Sequence, residues 1–178
     1  MHMDVKILQL AQNKNRNAQK AIYDLMYPKL RFIGKRYLKS EEDIEEALAD
    51  SFYIIFSKLD QLNDLNAFYA WSRKIMVNQC LAYIRKKVVF DYKDENQLAE
   101  ITHQVDANSL EVQDLMKLLN ELPDGCKAIF NLFVIEGYAH KEIADLLQIS
   151  VGTSKSQLNF AKGKLQELVN VHYYSKSN

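Results

Sequence analysis

Near the carboxyl end of the chain, polar and cationic side chains recur at helical spacing. Residues 140–147 form an amphipathic helix, residues 148–152 a short connection, and a second helix then runs to about residue 168. Ser150 is placed to cap the second helix, because its hydroxyl can accept a hydrogen bond from an amide of the first turn. Two short helices joined in this way form a helix-turn-helix, whose second helix can enter the major groove of DNA.

The second of these helices separates apolar from polar positions. Leu158, Ala161 and Leu165 share one face and are expected in the core. The outward positions carry side chains that suit phosphate contacts and hydrogen bonds to base edges, namely Lys155, Ser156, Gln157, Asn159 and Lys162. The pattern therefore favours binding of duplex DNA. A plain helical hairpin with a polar outer face is the alternative.

A second candidate lies in residues 67–90, which hold five basic residues and no acidic residue. Cations bind the phosphates of a single nucleic-acid strand, and aromatic rings stack on its bases. The segment supplies Trp71, Arg73, Lys74, Asn78, Arg85, Lys86 and Lys87 for this purpose. Trp71 also shares helical spacing with Phe68 and Ile75, so a place in the core is the alternative for its ring. Asn78 is a poor helix former, which favours a functional reason for its position.

Both candidates belong to a block pattern of charge. The 178 residues hold 23 basic and 23 acidic side chains, so the formal net charge is zero. In chain order, residues 1–40, 41–66, 67–90, 91–124 and 125–178 carry net charges of +7, −7, +5, −7 and +2. Blocks of opposite sign can present different faces to different partners. For any single block, a solvated helix face is the alternative.

The acidic block at residues 41–66 suits a protein surface better than DNA. Its apolar stripe runs from Ile44 to Leu59 and includes Phe52 and Ile55, which are expected to face the core. Glu45, Glu46 and Asp50 then face outward.

The elements that position these residues are expected to be helices. The chain has only 5 glycines and 2 prolines, fewer than a strand-rich fold needs for its turns, and its apolar spacing is helical throughout. We predict an all-α fold of two small helical domains, residues 1–88 and 110–170, with an acidic linker at 89–109 and a tail at 171–178. Pro28 should start a new helix or kink one. Phe68, Trp71, Ile75 and Ala82 should lie on one buried face.

The sequence disfavours several classes of protein. It has neither an apolar run that could cross a membrane nor an export signal. Cys80 and Cys126 form no CxxC pair, so neither a disulfide framework nor a zinc site is indicated. The 4 histidines are scattered, and HExxH, GxSxG and P-loop motifs are absent. We therefore expect no catalytic residue, no metal site and no cofactor.

The helix-turn-helix carries a specific set of motifs. They are Leu122-Pro123, Glu136-Gly137, Lys141-Glu142-Ile143-Ala144, and Val151-Gly152-Thr153 followed by Lys155-Ser156. This combination resembles region 4 of bacterial sigma-70-type factors, most closely the two-domain extracytoplasmic-function (ECF) group. The resemblance implies binding of the promoter −35 element. The implied contacts are Thr153, Lys155, Ser156, Gln157, Asn159, Phe160 and Lys162.

The first half of the chain resembles region 2 of the same family. Residues 44–52 are similar to its Ala-Glu-Asp-x-x-Gln-Glu-x-Phe stretch, which docks on the clamp helices of the RNA polymerase β′ subunit. The implied polymerase contacts are Glu45, Glu46, Ala49, Asp50, Tyr53 and Phe56. Residues 68–78 are similar to its Phe-x-x-Trp-Leu-x-x-Ile-Ala-x-Asn helix, which reads and melts the −10 element. The implied −10 contacts are Asn63 and Asn66, in the loop that captures an extruded base, with the seven residues from Trp71 to Lys87 named above.

The resemblance covers nearly the whole chain and implies a set of partners. These are core RNA polymerase, through its β′ clamp helices and β flap, promoter DNA in duplex and single-stranded form, and an anti-sigma factor that masks the polymerase-binding face. It also implies a cytoplasmic protein without membrane insertion. A helix-turn-helix regulator that binds duplex operators without polymerase is the alternative, although it leaves residues 44–52 and 68–78 without a role.

The sequence departs from the family at several positions. Ala49 replaces a usual Gln, Ala139 a common Ser that would cap a helix, and Gln148 a frequent Gly. In the −35 helix, Gln157, Phe160 and Lys162 stand where the family commonly has arginines. Arginine makes bidentate contacts to guanine and phosphate that these side chains do not reproduce. We therefore hypothesise that reading of the −35 element is weak or altered.

Overall fold

The computed structural model describes residues 4–87 and 112–176, and all its regular elements over these ranges are helical. The predicted all-α fold is confirmed. The helices are α1 (Val5–Gln12), α2 (Arg16–Tyr37), α3 (Glu41–Lys58), α4 (Phe68–Lys87), α5 (Val112–Asn120), α6 (Asp124–Phe130), α7 (His140–Leu147) and α8 (Val151–Lys176). The chain divides between Tyr83 and Ile84 into two compact units. The predicted linker, residues 89–109, lies outside the described residues.

Side-chain caps set where the first helices begin. Asp4, Asn15 and Ser40 precede α1, α2 and α3, and each side chain accepts a hydrogen bond from a first-turn amide. Three acidic residues follow Ser40 in the first turn of α3, where they interact favourably with the positive end of the helix dipole. Local sequence therefore defines the amino ends of these helices.

The core of the first unit is built on α2, α3 and α4. The predicted α3 stripe is confirmed, because Ile44, Leu48, Phe52, Ile55 and Leu59 are all buried. Gly34 of α2 lets the three helices approach closely. A Cβ atom at Gly34 would lie 2.8 Å from Met76 Cε and 3.0 Å from Ile44 Cγ2. Both distances are shorter than van der Waals contact. The Met76 methyl group ends a flexible side chain and can shift, whereas Ile44 would have to give way, so the packing favours glycine at this position.

The buried face of α4 differs from the predicted one. Phe68, Ser72, Met76 and Cys80 are buried, whereas Trp71, Ile75 and Ala82 are half-buried at the edge of the face. The prediction gave weight only to apolar residues. Ser72 is small enough to face the core, and the thioether of Met76 accepts a hydrogen bond from Ser51 Oγ at 3.2 Å. Spacing by four residues therefore sets the face.

Of the two effects predicted for Pro28, a new helix or a kink, the first does not occur, because α2 is continuous through it. Proline in a helix interior removes one backbone hydrogen bond and costs about 3 kcal/mol. Met26, Leu30 and Ile33 of the same helix are buried around this position. Burial of each such side chain contributes about 1.5–3 kcal/mol, which together exceeds the cost of the proline.

A hydrogen-bonded clamp joins α1 to the segment after α3. The amide of Gln12 donates to the carbonyl oxygens of Leu59 and Leu62, at 2.9 and 3.3 Å. Two short 3₁₀ turns, Leu59–Gln61 and Leu65–Ala67, form this segment and lead into α4. The clamp therefore holds the stretch that carries Asn63 and Asn66.

The second unit packs α5 and α6 against α8. Leu118, Leu119, Leu122, Cys126, Ala161 and Leu165 form its buried cluster. A π-helical turn, Asn131–Ile135, continues α6 and leads to α7. The final helix is longer than predicted and extends beyond residue 168 to Lys176.

Candidate nucleic-acid interface

The predicted helix-turn-helix is formed by α7 and α8. Helix α7 spans the predicted residues, and Gln148 after it has φ 57° and ψ 46°, the left-handed conformation that favours glycine. The predicted cap is confirmed, because the Thr153 amide donates to Ser150 Oγ at 2.9 Å. At the start of α7 the Ala139 amide donates to a carboxylate oxygen of Glu142 at 2.8 Å. This bond gives the backbone amide at the start of α7 a partner, although Ala139 has no side chain that could cap the helix.

Helix α8 presents the predicted polar face. Leu158, Ala161 and Leu165 are buried, as expected. Lys155, Ser156, Asn159, Phe160 and Lys162 are exposed, and Thr153 is half-buried.

Gln157 was predicted to point outward from α8, and this prediction is only partly correct. It is half-buried, and its Oε1 accepts a hydrogen bond from Cys126 Sγ at 2.6 Å. Burial raises the pKa of the Cys126 thiol to about 11, so the thiol keeps the proton that it donates. The side-chain amide of Gln157 therefore bonds to α6, although the residue lies on the polar side of α8 that was predicted to face DNA.

A chain of ring contacts joins α7 and α8. The Phe133 and His140 rings stack with centroids 4.6 Å apart, and His140 Nδ1 lies 2.9 Å from Ser154 Oγ. Lys162 Nζ lies 5.8 Å from the centroid of Phe133. This cation–π contact engages one of the two exposed lysines, Lys155 and Lys162, that were predicted to face DNA.

On α4, Lys74, Asn78 and Arg85 form one exposed strip by helical spacing, whereas Lys86 and Lys87 point in other directions from the last turn. Lys74, Asn78, Arg85, Lys86 and Lys87 are exposed, and Trp71 and Arg73 are half-buried. The ring centroids of Trp71 and Phe68 lie 6.2 Å apart. Trp71 therefore packs partly on the core and stays partly accessible to solvent, and its stacking on DNA bases remains a prediction.

The two loop asparagines differ in their surroundings. Both are exposed. The backbone and side-chain amides of Asn66 donate to Asp64 Oδ1 at 2.9 and 3.1 Å. Asn66 is therefore held by its own turn.

The sequence did not predict that cationic and aromatic residues of α2 lie opposite those of α4. Lys29, Phe32 and Arg36 of α2 face Tyr69 and Arg73 of α4 across a groove of about 520 Å³. Lys29 Nζ lies 5.4 Å from the centroid of the Tyr69 ring. The excess of basic residues in positions 1–40 was the available signal, although only the fold shows which of them face α4.

The predicted polymerase-binding residues share the outer side of α3. Glu45, Glu46, Ala49 and Asp50 are exposed, Tyr53 is 76 % exposed and Phe56 is half-buried. The orientation predicted for this helix is therefore confirmed.

Two carboxylates of this side are tied to neighbouring helices. Glu45 accepts hydrogen bonds from Tyr27 Oη at 2.9 Å and Arg31 Nε at 3.1 Å, and the first bond raises the pKa of Tyr27. Asp50 accepts from Tyr83 Oη at 3.4 Å. Burial, followed by a hydrogen bond with Glu46, raises the pKa of Tyr83. Glu45 is therefore bonded to α2, and Asp50 is bonded to α4.

Over residues 4–87 and 112–176, three or more His, Cys, Asp or Glu side chains nowhere gather closely enough to hold a metal ion. Within the same ranges, no helix combines the length and the apolar character needed to cross a membrane.

Family models match both units. The model described as Sigma-70 region 2 matches residues 22–88, and the model described as Sigma-70, region 4 matches residues 112–165. Together these matches span more than half of the chain. An ECF RNA polymerase sigma-E factor of Haemophilus influenzae is 20 % identical over 180 residues, which cover 93 % of this chain and 95 % of the relative. The protein of that name from Escherichia coli K12 is 24 % identical over 159 residues, covering 79 % and 83 %.

Two solved structures share the fold. CnrH, in complex with the cytosolic domain of CnrY, has a TM-score of 0.52 and 21 % identity, and the match covers 94 % of this chain and 97 % of that chain. The sigma factor RpoE of Bartonella quintana, in complex with the anti-sigma factor NepR, has a TM-score of 0.51 and 25 % identity, with 85 % and 96 % covered. The two regional matches, in this order and over most of the chain, show that it belongs to the sigma-70 family, as an RNA polymerase sigma factor of the extracytoplasmic-function type.

Proposed function

We propose that the outer side of α3 binds core RNA polymerase, that α4 and the preceding loop bind the −10 element and assist its melting, and that α8 contacts the −35 element. The observation that carries this proposal is the division of charge between elements. The exposed side of α3 is acidic, whereas the exposed strip of α4 is cationic. An acidic face repels DNA phosphates and a cationic face attracts them, so each suits a different partner.

The polymerase contacts proposed are Glu45, Glu46, Ala49, Asp50, Tyr53 and Phe56. Tyr53 supports this assignment, because a large aromatic side chain at 76 % exposure stands beside the acidic residues. Aromatic side chains are enriched among the residues that dominate protein interfaces. The β′ clamp helices are the proposed docking partner for α3, and the β flap is the proposed partner for the second unit.

DNA binding by the chain alone is expected to be weak. Each neutralised phosphate adds about 0.9 to the slope of log affinity against log salt, and each unit presents only a few cations. Polymerase raises the effective concentration of the second contact once the first has formed.

The proposal extends to the wider setting of the chain. In this proposal the chain acts without catalysis, as a specificity subunit of RNA polymerase. It works in the cytoplasm, where polymerase meets the chromosome. An anti-sigma factor is a further proposed partner, supported by the Bartonella quintana complex. The stand-alone regulator is not favoured, because it gives no role to the region that matches sigma-70 region 2.

Transcription in vitro with core polymerase and genomic DNA tests the proposal. We expect defined start sites that are absent with core polymerase alone, and co-purification of the chain with core polymerase. A set of start sites no larger than the core-only background would contradict it.

A further inference from the structure

One hydrogen bond determines which end of the Gln157 side-chain amide turns toward the protein. Gln157 lies in the second turn of α8, and its Oε1 accepts a hydrogen bond from Cys126 Sγ of α6 at 2.6 Å. Cys126 is only 2 % exposed and belongs to the buried cluster of the second unit, together with Leu118 and Leu119. The oxygen of the amide is therefore directed inward, which leaves Nε2 at the opposite end of the planar group.

The chemistry of the thiol sets the direction of this bond. Burial raises the pKa of Cys126 to about 11, so near neutral pH the sulfur carries a proton that it can donate. In a glutamine side chain the oxygen is the acceptor, and the nitrogen carries two N–H donors. Among the residues that the structure describes, none accepts a hydrogen bond from Gln157 Nε2. Gln157 therefore offers donors outward, while its acceptor is engaged by α6.

A glutamine that offers only donors reads bases differently from one with a free amide. When both ends of the amide face the major groove, the oxygen accepts from N6 of adenine and the nitrogen donates to N7. Guanine presents two acceptors there, O6 and N7, and thymine presents O4. A glutamine without a free oxygen keeps its bonds to guanine and thymine but loses one of its two bonds to adenine.

The place of Gln157 in α8 favours a base edge over a phosphate as its target. In a helix-turn-helix, residues near the amino end of the second helix contact base edges. Gln157 lies one helical turn after Thr153, close to the start of α8 at Val151. Lys155 is exposed on the same turn, and its charge suits a phosphate better than a neutral amide does.

We propose that Cys126 is a positioning residue for promoter reading. Its thiol holds Gln157 with Nε2 toward the major groove, so Gln157 reads a hydrogen-bond acceptor of guanine or thymine and forms no bidentate pair with adenine. This proposal rests on the proposed contact of α8 with the −35 element. It gives a buried cysteine of α6 an influence on base preference, although that cysteine itself does not reach DNA.

Base preference in variants of Cys126 tests the proposal. The full chain and core polymerase are bound to a promoter mapped by transcription in vitro, with each −35 position changed in turn to all four bases. The contacted position is the one where Gln157→Ala alters the relative affinities for the four bases. There, Cys126→Ala should raise the affinity for adenine relative to guanine about 5-fold or more, the lower end of the discrimination of one bidentate contact. Cys126→Ser keeps a donor and should keep the wild-type ratio.

Two valine variants separate this effect from a loss of core packing. In Cys126→Val an apolar group takes the place of the thiol without a donor, so the ratio should shift as in Cys126→Ala. This variant also covers the case in which the alanine variant does not fold. Leu118→Val is the matched control, because it removes one methylene group from the same buried cluster and keeps both Cys126 and Gln157. Its affinity ratio should equal that of the wild type.

Three results would overturn the proposal. The first is an adenine-to-guanine ratio that stays at the wild-type value in both Cys126→Ala and Cys126→Val. The second is a wild-type chain that already prefers adenine at the contacted position. The third is an equal loss of affinity for every base in Gln157→Ala, because Gln157 would then contact a phosphate. Failure of the wild type to form any complex with core polymerase would instead contradict the proposed function itself.

Discussion

Gln148 shows how one residue can work against the stability of the helix-turn-helix. Its φ of 57° places a side chain in a region where L-residues cost roughly 1–2 kcal/mol. The chain accepts this cost because the amides of Gln148 and Ile149 both bond to Ala144 O, which closes α7.

Gln148→Gly should raise the free energy of unfolding by about 1 kcal/mol, because glycine adopts this conformation without a Cβ clash. Urea denaturation followed by circular dichroism measures the change. Gln148→Ala is the control and should give no comparable gain, since alanine keeps the Cβ. A loss of stability in the glycine variant would show that the Gln148 side chain contributes more than its backbone costs.

Cys126 makes stability depend on pH in the alkaline range. Burial raises its pKa to about 11 in the folded chain, whereas a thiol in an unfolded chain has a pKa of about 8.5. Between these values the folded chain binds more protons than the unfolded chain, so stability falls as pH rises and is fully present below the lower value. From about pH 8 to about pH 10, the urea midpoint of the wild type should therefore fall further than that of Cys126→Ala. Equal falls of the urea midpoint with pH in the wild type and in Cys126→Ala would show that Cys126 does not cause this pH dependence.

At the scale of elements, α4 combines a packed face with an exposed strip that we propose to bind DNA. Lys74 and Asn78 are exposed one helical turn apart, so both can reach the same stretch of strand. Their main-chain positions are set by Met76 and Cys80 on the buried face.

Lys74→Ala with Asn78→Ala should reduce open-complex formation by roughly ten- to a hundredfold, the equivalent of one or two charge-assisted hydrogen bonds. Binding to core polymerase should stay near normal, because α3 is unchanged. Permanganate reactivity of unpaired thymines and co-purification measure the two quantities. Lys6→Ala with Asn17→Ala, an exposed pair on α1 and α2, is the control. Lost polymerase binding would show that α4 has been assigned to the wrong partner.

Sequence patterns predicted most elements but not how their faces meet. The cap at Ser150 and the α3 stripe follow from local spacing and were predicted correctly. The α4 face was not, because Ser72 becomes a core residue only through the helices packed against it. The α2 wall of the groove was missed for the same reason, since no local pattern tells which side of α2 meets Tyr69.

At the scale of the molecule, zero net charge conceals separate cationic and acidic surfaces. Among the helices that we propose to bind DNA, α8 is the least basic. Two of its three positions where the family commonly has arginine make contacts within their own unit. Gln157 bonds to Cys126, and Lys162 lies over Phe133. These contacts compete with base and phosphate contacts, which supports the hypothesis of weak −35 reading.

Scrambling the −35 element should therefore change the free energy of holoenzyme binding by less than about 1–3 kcal/mol, which is the usual cost of one mismatched base pair. Scrambling the −10 element should cost more than this. Footprinting with the full chain and core polymerase on matched promoter fragments measures both. Strong discrimination at −35 would contradict the hypothesis.

The clamp formed by Gln12 has a consequence for dissecting the chain. The region 2 match begins at residue 22, so a fragment cut at that boundary would lack α1 and both hydrogen bonds from Gln12 to Leu59 and Leu62. It would also lose Asn15, which caps α2, and the first six residues of that helix, and we expect it to hold the stretch that carries Asn63 and Asn66 less firmly. A domain excised at its homology boundary would thus report too low an affinity for the −10 strand. Helix α1 is therefore expected to contribute to the proposed binding of the −10 element.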